Sequence, residues 1–370
     1  LLSVFGEPSG LKVNSLLLLV ENLAYSDVAI RLVALAPMAK IAAITNNPIT
    51  FSVVGNLPSF LNLSSGGSSQ GVQIGNTTIS EASAVASDTN GNYYVVQFSG
   101  NDIYKVTANG TIIPWAIKTQ SNAAVYGGAV VVGNYLYVGY RNNSTGQGGI
   151  MQYDINSPSP VGVDVVPLGS NAFFNLTYRN GFIYAGTYNT NKIIKVDLNN
   201  NFAVTDVVTN VTKASGCAFD GDGNMYITSP DGFKLWKYTT GGQLIDTGLT
   251  FSNSGFANAP FDVEVDSSGN VYVGTRDAGI RKYTPDLSSF VVINNSVGSF
   301  IWGISFGSTG ILSWAITGQN KAYQLQTGAT ISGTPAIGDI GTYPITVSAT
   351  DGTSTTQQNY TLSVFGPATL

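Results

Sequence analysis

Apolar and polar positions alternate along most of this chain in short runs, each stopped by Gly, Asn or Asp. A period of two marks strands with one face buried. Between residues 67 and 326 the runs also repeat on a larger scale. Six times a Gly/Asn turn is followed by a strand carrying an aromatic: Tyr94 in GNYYVV, Tyr137 in GNYLYVG, Tyr184 in NGFIYAG, Tyr226 in GNMYIT, Tyr272 in GNVYVG and Trp314 in TGILSWAI. Each lies forty-odd residues after the last. An apolar strand precedes each, among them ASAVAS, GCAFD and FDVEVD, and a further strand follows with Tyr104, Tyr153, Val196, Tyr238, Tyr283 or Tyr323. Such a period, with three or four short strands per repeat, predicts a six-bladed β-propeller. The sixth repeat stops at Gln326 after its third strand, and GVQIG (71–75) is a spare strand ahead of the first. It is expected to close the ring as the outer strand of the last blade, because an open ring leaves sheet edges unpaired.

The turns DGDGNMY (Asp220–Tyr226) and DSSGNVY (Asp266–Tyr272) resemble those of NHL-type six-bladed propellers. On either side of the repeats, PITFSVVGNLPSFLNLSSG (48–66) and TGATISGTPAIGDIGTYPITVSATDG (327–352), once joined, resemble one immunoglobulin-like module of prokaryotic, chiefly archaeal, surface proteins. The resemblances imply an all-β chain in which a six-bladed β-propeller (67–326) is inserted into an immunoglobulin-like β-sandwich (1–66 and 327–370). A closed ring has adjacent ends and so can hang from one turn. Ahead of this, Leu16–Glu21 and Val28–Leu35 are expected as strands, with an amphipathic helix over Val28–Ile44 as the rival and Pro37 against it. Glu21, Asp27 and Arg31 leave no apolar run long enough for a membrane helix, and no intact signal-peptide pattern opens the chain.

Composition narrows the setting. Only 10% of residues are charged, and 16 basic residues against 21 acidic give a net charge of −5, which disfavours a nucleic-acid partner. The single Cys217, in the apolar run ASGCAFD, cannot form an internal disulfide and is expected as a small buried hydrophobe. Asn-x-Ser/Thr occurs at Asn62, Asn76, Asn109, Asn142, Asn143, Asn175, Asn210, Asn294 and Asn359, which suits a secreted glycoprotein.

The candidate chemistry is thin. Histidine is absent, so the commonest general base and transition-metal ligand are missing. Asp220-Gly-Asp222-Gly-Asn224 starts like a calcium loop, but Met225 stands where Gly is needed and Asp231 where the bidentate Glu belongs, so a hairpin turn is expected there and at Asp266. Glu81, Asp262 and Glu264 are the acidic residues near innermost strands, the last two on one face of one strand. Exposed aromatics, among them Trp115, Trp236, Trp302 and Trp314, could stack on sugars, but Trp236 and Trp314 occupy repeat-equivalent strands and are expected in the core. Trp115, in the blade-edge segment TIIPWAI, is the least committed.

These readings point to a non-catalytic extracellular protein of the cell surface, a subunit of a filament or surface layer, with no cofactor or metal. Its partners would be other copies of itself, head to tail, and surface glycans. The pentapeptide Leu2-Ser-Val-Phe-Gly6 recurs at Leu362–Gly366, so Leu2, Val4, Phe5, Leu362, Val364 and Phe365 are candidates for a strand donated between subunits. A displayed propeller that binds a glycan or protein is the second reading, and an extracellular hydrolase or lyase the third.

Overall fold

The computed structural model describes residues 17–19, 29–34, 50–65, 71–120, 122–169, 171–252, 256–266, 269–297, 299–307, 311–326, 329–333, 335–350 and 355–365. Nearly every regular element among them is a strand, with three single-turn 3-10 helices.

Six antiparallel sheets follow one another between Val72 and Gln326. The first runs Ala82–Ser87, Tyr93–Gln97, Asp102–Val106, Ile112–Ile117, and the third, fourth and fifth repeat its four-stranded order. The second sheet adds a short strand, Ala123–Ala124, so that two strands share one edge of Tyr135–Asn142. Innermost strands of successive sheets touch in order, and Ile304–Phe306 of the sixth sheet touches Ala82–Ser87 of the first. The ring is closed.

Closure uses the spare strand. Val72–Gln73 pairs antiparallel with Lys321–Gln326 through Gln73 opposite Tyr323 and Val72 opposite Gln324. Ile74 N then donates to Ala322 O at 2.8 Å and Ile79 N to Asn320 O at 2.8 Å. Ile74 and Ile79 are buried with Val85, Val95, Ala315 and Ala322, which joins the last sheet to the first.

The repeated turns explain themselves at the level of single atoms. Asp88 Oδ1 accepts from the amides of Asn90 and Asn92, and its Oδ2 from Asn92 Nδ2 and the Tyr94 hydroxyl. Asp220 and Asp266 hold Asn224 and Asn270 in the same way. An Asp side chain that folds its own turn competes with no ladder, so it belongs at hairpins. Its lone pairs are already engaged, and these loops are turns rather than calcium loops.

Two further sheets come from the flanks. Leu17–Leu19 pairs parallel with Ala329–Gly333, which pairs antiparallel with Leu61–Ser65. The other sheet runs Ala29–Ala34, Thr355–Phe365, Gly341–Thr350, Thr50–Val54. Leu61 and Ile331 of one sheet share a buried cluster with Phe51, Ile345, Val347, Tyr360, Leu362 and Val364 of the other. The described parts of 11–44 are therefore strands, and the helical alternative is set aside for Ala29–Ala34.

Candidate functional site

The site is built at one end of the ring. In each sheet the innermost strand starts at this end, and the loop from the second strand to the third returns to it, as the pairing of Ala82 with Gln97 illustrates. Those loops and starts carry Phe98, Tyr126, Phe174, Tyr188, Phe233, Phe256, Phe300 and Trp302. Six of them pack into two three-ring stacks, and Phe233 and Phe256 form a tilted pair at 5.7 Å. Trp302 stacks on Phe98 at 5.6 Å and on Phe300 at 5.3 Å, both at 11°. Phe174 stacks on Tyr126 at 4.5 Å and on Tyr188 at 4.7 Å. Edge contacts from Tyr126 to Trp302, 5.1 Å, and from Phe98 to Tyr126, 4.9 Å, bind the stacks together. Each such pair adds about 0.5–1.5 kcal/mol to plain burial, so the layer is a rigid platform.

Beneath it the axis is filled by backbone. A Cβ on Gly127 would lie 2.6 Å from Gly303 Cα, so the second and sixth sheets meet there through glycine alone. Asn175 of the third sheet is 2% exposed, and its Nδ2 donates to Phe261 O at 3.0 Å and Trp302 O at 3.2 Å. One amide thus ties three sheets across the centre. Thr228 Oγ1 donates to Phe261 O as well, at 3.1 Å.

Asp262 is buried here, its Oδ1 accepting from Val263 N and its Oδ2 from Ile304 N, each at 2.9 Å. Burial raises its carboxyl well above the usual range, against the pull of those two amides. Burial and then the Asp262 charge raise Glu264 likewise, but Glu264 is only half-buried, so Asp262 carries the argument. The folded state keeps a proton that the unfolded chain has released above about pH 4. Stability from this group is complete below that pH and is lost as pH rises through the folded pKa. Glu81 and Asp286 are held below the usual range, chiefly by hydrogen bonds from Ser99 and Thr284, and act in the opposite sense only at lower pH. The melting temperature is therefore expected to fall between pH 4 and pH 7, and Asp262→Asn to flatten that slope; thermal scans across the range check it.

Charged groups ring the platform. Tyr188 Oη donates to Asp231 at 2.7 Å while Lys213 Nζ lies 4.8 Å above the Tyr188 ring. The Arg276 guanidinium lies 4.3 Å from the Phe300 ring centre and 5.8 Å from that of Phe256. Its Nε is 3.7 Å from Asp277, whose carboxyl burial pushes up and Arg276 pulls partly back. Glu81 is committed elsewhere, accepting from Ser99 Oγ, Ser99 N and Gly100 N. Lys118 Nζ donates to the carbonyls of Gln97, Phe98 and Ala123, and burial brings its amine down to about 8.

Some sequence expectations hold and others change. Glu81 does not join Asp262 and Glu264 in a ligand set: among the described residues no group of three or more His, Cys, Asp or Glu could hold a metal ion. Trp115 is buried against Tyr94 and Tyr153, with Nε1 donating to Ser157 O at 2.9 Å, so it offers no sugar platform. Trp314 is fully buried, Trp236 half-buried in the core, and Cys217 buried with its thiol pushed up by desolvation. Of the sequons, Asn62, Asn76, Asn109, Asn143, Asn210 and Asn359 are exposed and Asn142 and Asn294 half-buried, whereas Asn175 is buried in the axis and cannot take a glycan in the folded state. Leu362 and Val364 face the flanking core, and residues 360–364 of their strand are paired on both sides within the chain, while Phe365 pairs with Ala29. That stretch is not an open edge. Leu2, Val4 and Phe5 lie outside the described residues. The aromatic platform, with Arg276 and Asp277, was not anticipated.

No family model matches the chain, and no curated protein matches it. Solved structures do. A gluconolactonase, XC5397 from Xanthomonas campestris, superposes with a TM-score of 0.55 at 12% identity, covering 88% of this chain and 99% of that one. A catalytically inactive virginiamycin B lyase from Staphylococcus aureus with quinupristin gives 0.50 at 14% identity, covering 82% and 99%. A Bacteroides thetaiotaomicron protein of unknown function also gives 0.50, at 12% identity, covering 73% and 76%. At such identities the likeness speaks for the fold: this is an all-β chain with a β-propeller of the kind those proteins share. The expectation of a non-catalytic filament subunit is overturned, since the ring matches proteins named as a gluconolactonase and a lyase.

Proposed function

We propose that the chain is a hydrolase- or lyase-type propeller enzyme acting on a ring-bearing lactone or cyclic ester held on the aromatic end. The observation that carries this reading is Asp277, a carboxyl raised by burial and set at the rim of the Phe256, Phe300 and Trp302 rings beside Arg276. A carboxyl tuned upward is a stronger base, suited to take a proton from water or from a carbon beside a carbonyl. The flat platform supplies stacking for a ring, and the filled axis supports a reaction at the end of the ring rather than inside it. The neighbours' named chemistry, a lactonase and a lyase crystallised with quinupristin, supports the same substrate class. The test is turnover of small lactones and of quinupristin. The wild type should turn over at least one of them, Asp277→Asn should lose about 10²–10⁴-fold, and Asp222→Asn in an exposed turn at the far end should lose nothing. No turnover by the wild type, or full turnover by Asp277→Asn, would sink the reading.

The two flanking sheets support a second module of immunoglobulin-like type into which the propeller is inserted, because strands from before Val72 and after Gln326 share one core. Sparse charge and mostly exposed sequons support an extracellular setting, in which tryptic peptides from the source cells would carry glycans at sites such as Asn76 and Asn109 but not Asn175.

A further inference from the structure

Arg276 is the charged group of the aromatic end that keeps a buried donor without an acceptor. Its side chain is 30% exposed, open enough to meet a ligand, yet its Nε is buried and makes no hydrogen bond, the Asp277 oxygen lying 3.7 Å away. The Trp302 Nε1, one ring further along the same stack, is a second buried donor without an acceptor. Buried donors are nearly always satisfied, so two in one small region mark a place where an acceptor is wanted. The neighbouring charges do not compete for the role. Lys118 spends its donors on three carbonyls, Asp231 is held by Tyr188, and Glu81 by Ser99 and Gly100.

Resting on the reading above, we infer that this end of the ring selects ring-bearing ligands that carry a carboxylate, with Arg276 as the residue that reads the charge. A planar guanidinium already lying on phenyl rings keeps its fork of donors in one plane, which matches the two oxygens of a carboxylate. The ligand ring would lie against the Phe256 and Phe300 side of the platform, where the stack ends, and its carboxylate would take the acceptor place that Asp277 fills only at long range. Arg276 acts here in specificity; the proton-accepting role stays with Asp277.

Calorimetric titration of the full chain with benzoate and with benzamide, its neutral isostere, tests the inference. Benzoate should bind the wild type about tenfold tighter or more. Arg276→Gln should bring benzoate to the level of benzamide and leave benzamide unchanged, and Arg276→Lys, which keeps the charge but loses the fork, should retain only part of the preference. Melting curves of both variants confirm that they fold. Equal affinities in the wild type, binding of neither compound, or a preference that survives in Arg276→Gln would overturn it. Lactone and quinupristin turnover is read separately, so a wild type that turns over substrate but shows no anion selection removes this inference and leaves the proposed reaction standing.

Discussion

Gly127→Ala is expected to destabilise the protein by about 3–4 kcal/mol, against about 1 kcal/mol for Gly110→Ala. Both glycines sit in the left-handed region, at φ +84° and +86°, so an L side chain is strained equally at either. Around Gly110 nothing lies within 4 Å of an added Cβ, and the strain is the whole cost. At Gly127 the same carbon meets Gly303 Cα and N at 2.6 Å, and the Asn175 amide oxygen still more closely. Those atoms are backbone of another sheet and a side chain pinned by two hydrogen bonds, so neither can yield cheaply. Chemical denaturation of the two variants reads the difference, and equal losses would mean that the sheets do not meet at the axis.

Asn175→Leu is expected to cost about 2–4 kcal/mol, although it keeps the side-chain volume and adds apolar surface. The loss comes from what is left behind. Trp302 O loses its side-chain donor, Phe261 O is left with that of Thr228 alone, and a buried acceptor short of a donor carries a desolvation cost. The fifth and sixth sheets also lose their tie to the third. Asn175→Asp should be no better, since it replaces the donor with a buried acceptor. A melting temperature within a degree of wild type for Asn175→Leu would contradict the bridge.

Much of the ring was legible in the sequence because each blade is a local unit. Gly/Asn turns, the aromatic of the second strand and the Asp that folds its own hairpin recur at fixed offsets, so Asp88, Asp220 and Asp266 announce their role one repeat at a time. Even the closing strand could be read, because a sixth repeat one strand short implies a partner elsewhere. The functional end was not legible for the opposite reason. Phe98 comes from a loop between strands, Tyr126 from the link between the two strands that share one edge of the second sheet and Phe174 from an innermost strand, so no offset relates them. Their stacking exists only once the ring has closed. Asn175 shows the limit most plainly: as a sequence it is one more Asn-x-Thr, and as a structure it is the central cross-tie. Trp115 failed differently, because the Ser157 carbonyl that holds its indole belongs to the next sheet.

The central claim is that ligands meet this protein on the aromatic end, above a filled axis. Quenching of tryptophan emission during titration with quinupristin or a turned-over lactone tests it most directly. Trp302 lies in the platform, whereas Trp115, Trp236 and Trp314 lie within or between sheets. The account predicts quenching in the wild type and in Trp236→Phe, and its loss in Trp302→Phe. Quenching that persists undiminished in Trp302→Phe would place the ligand elsewhere and contradict the account.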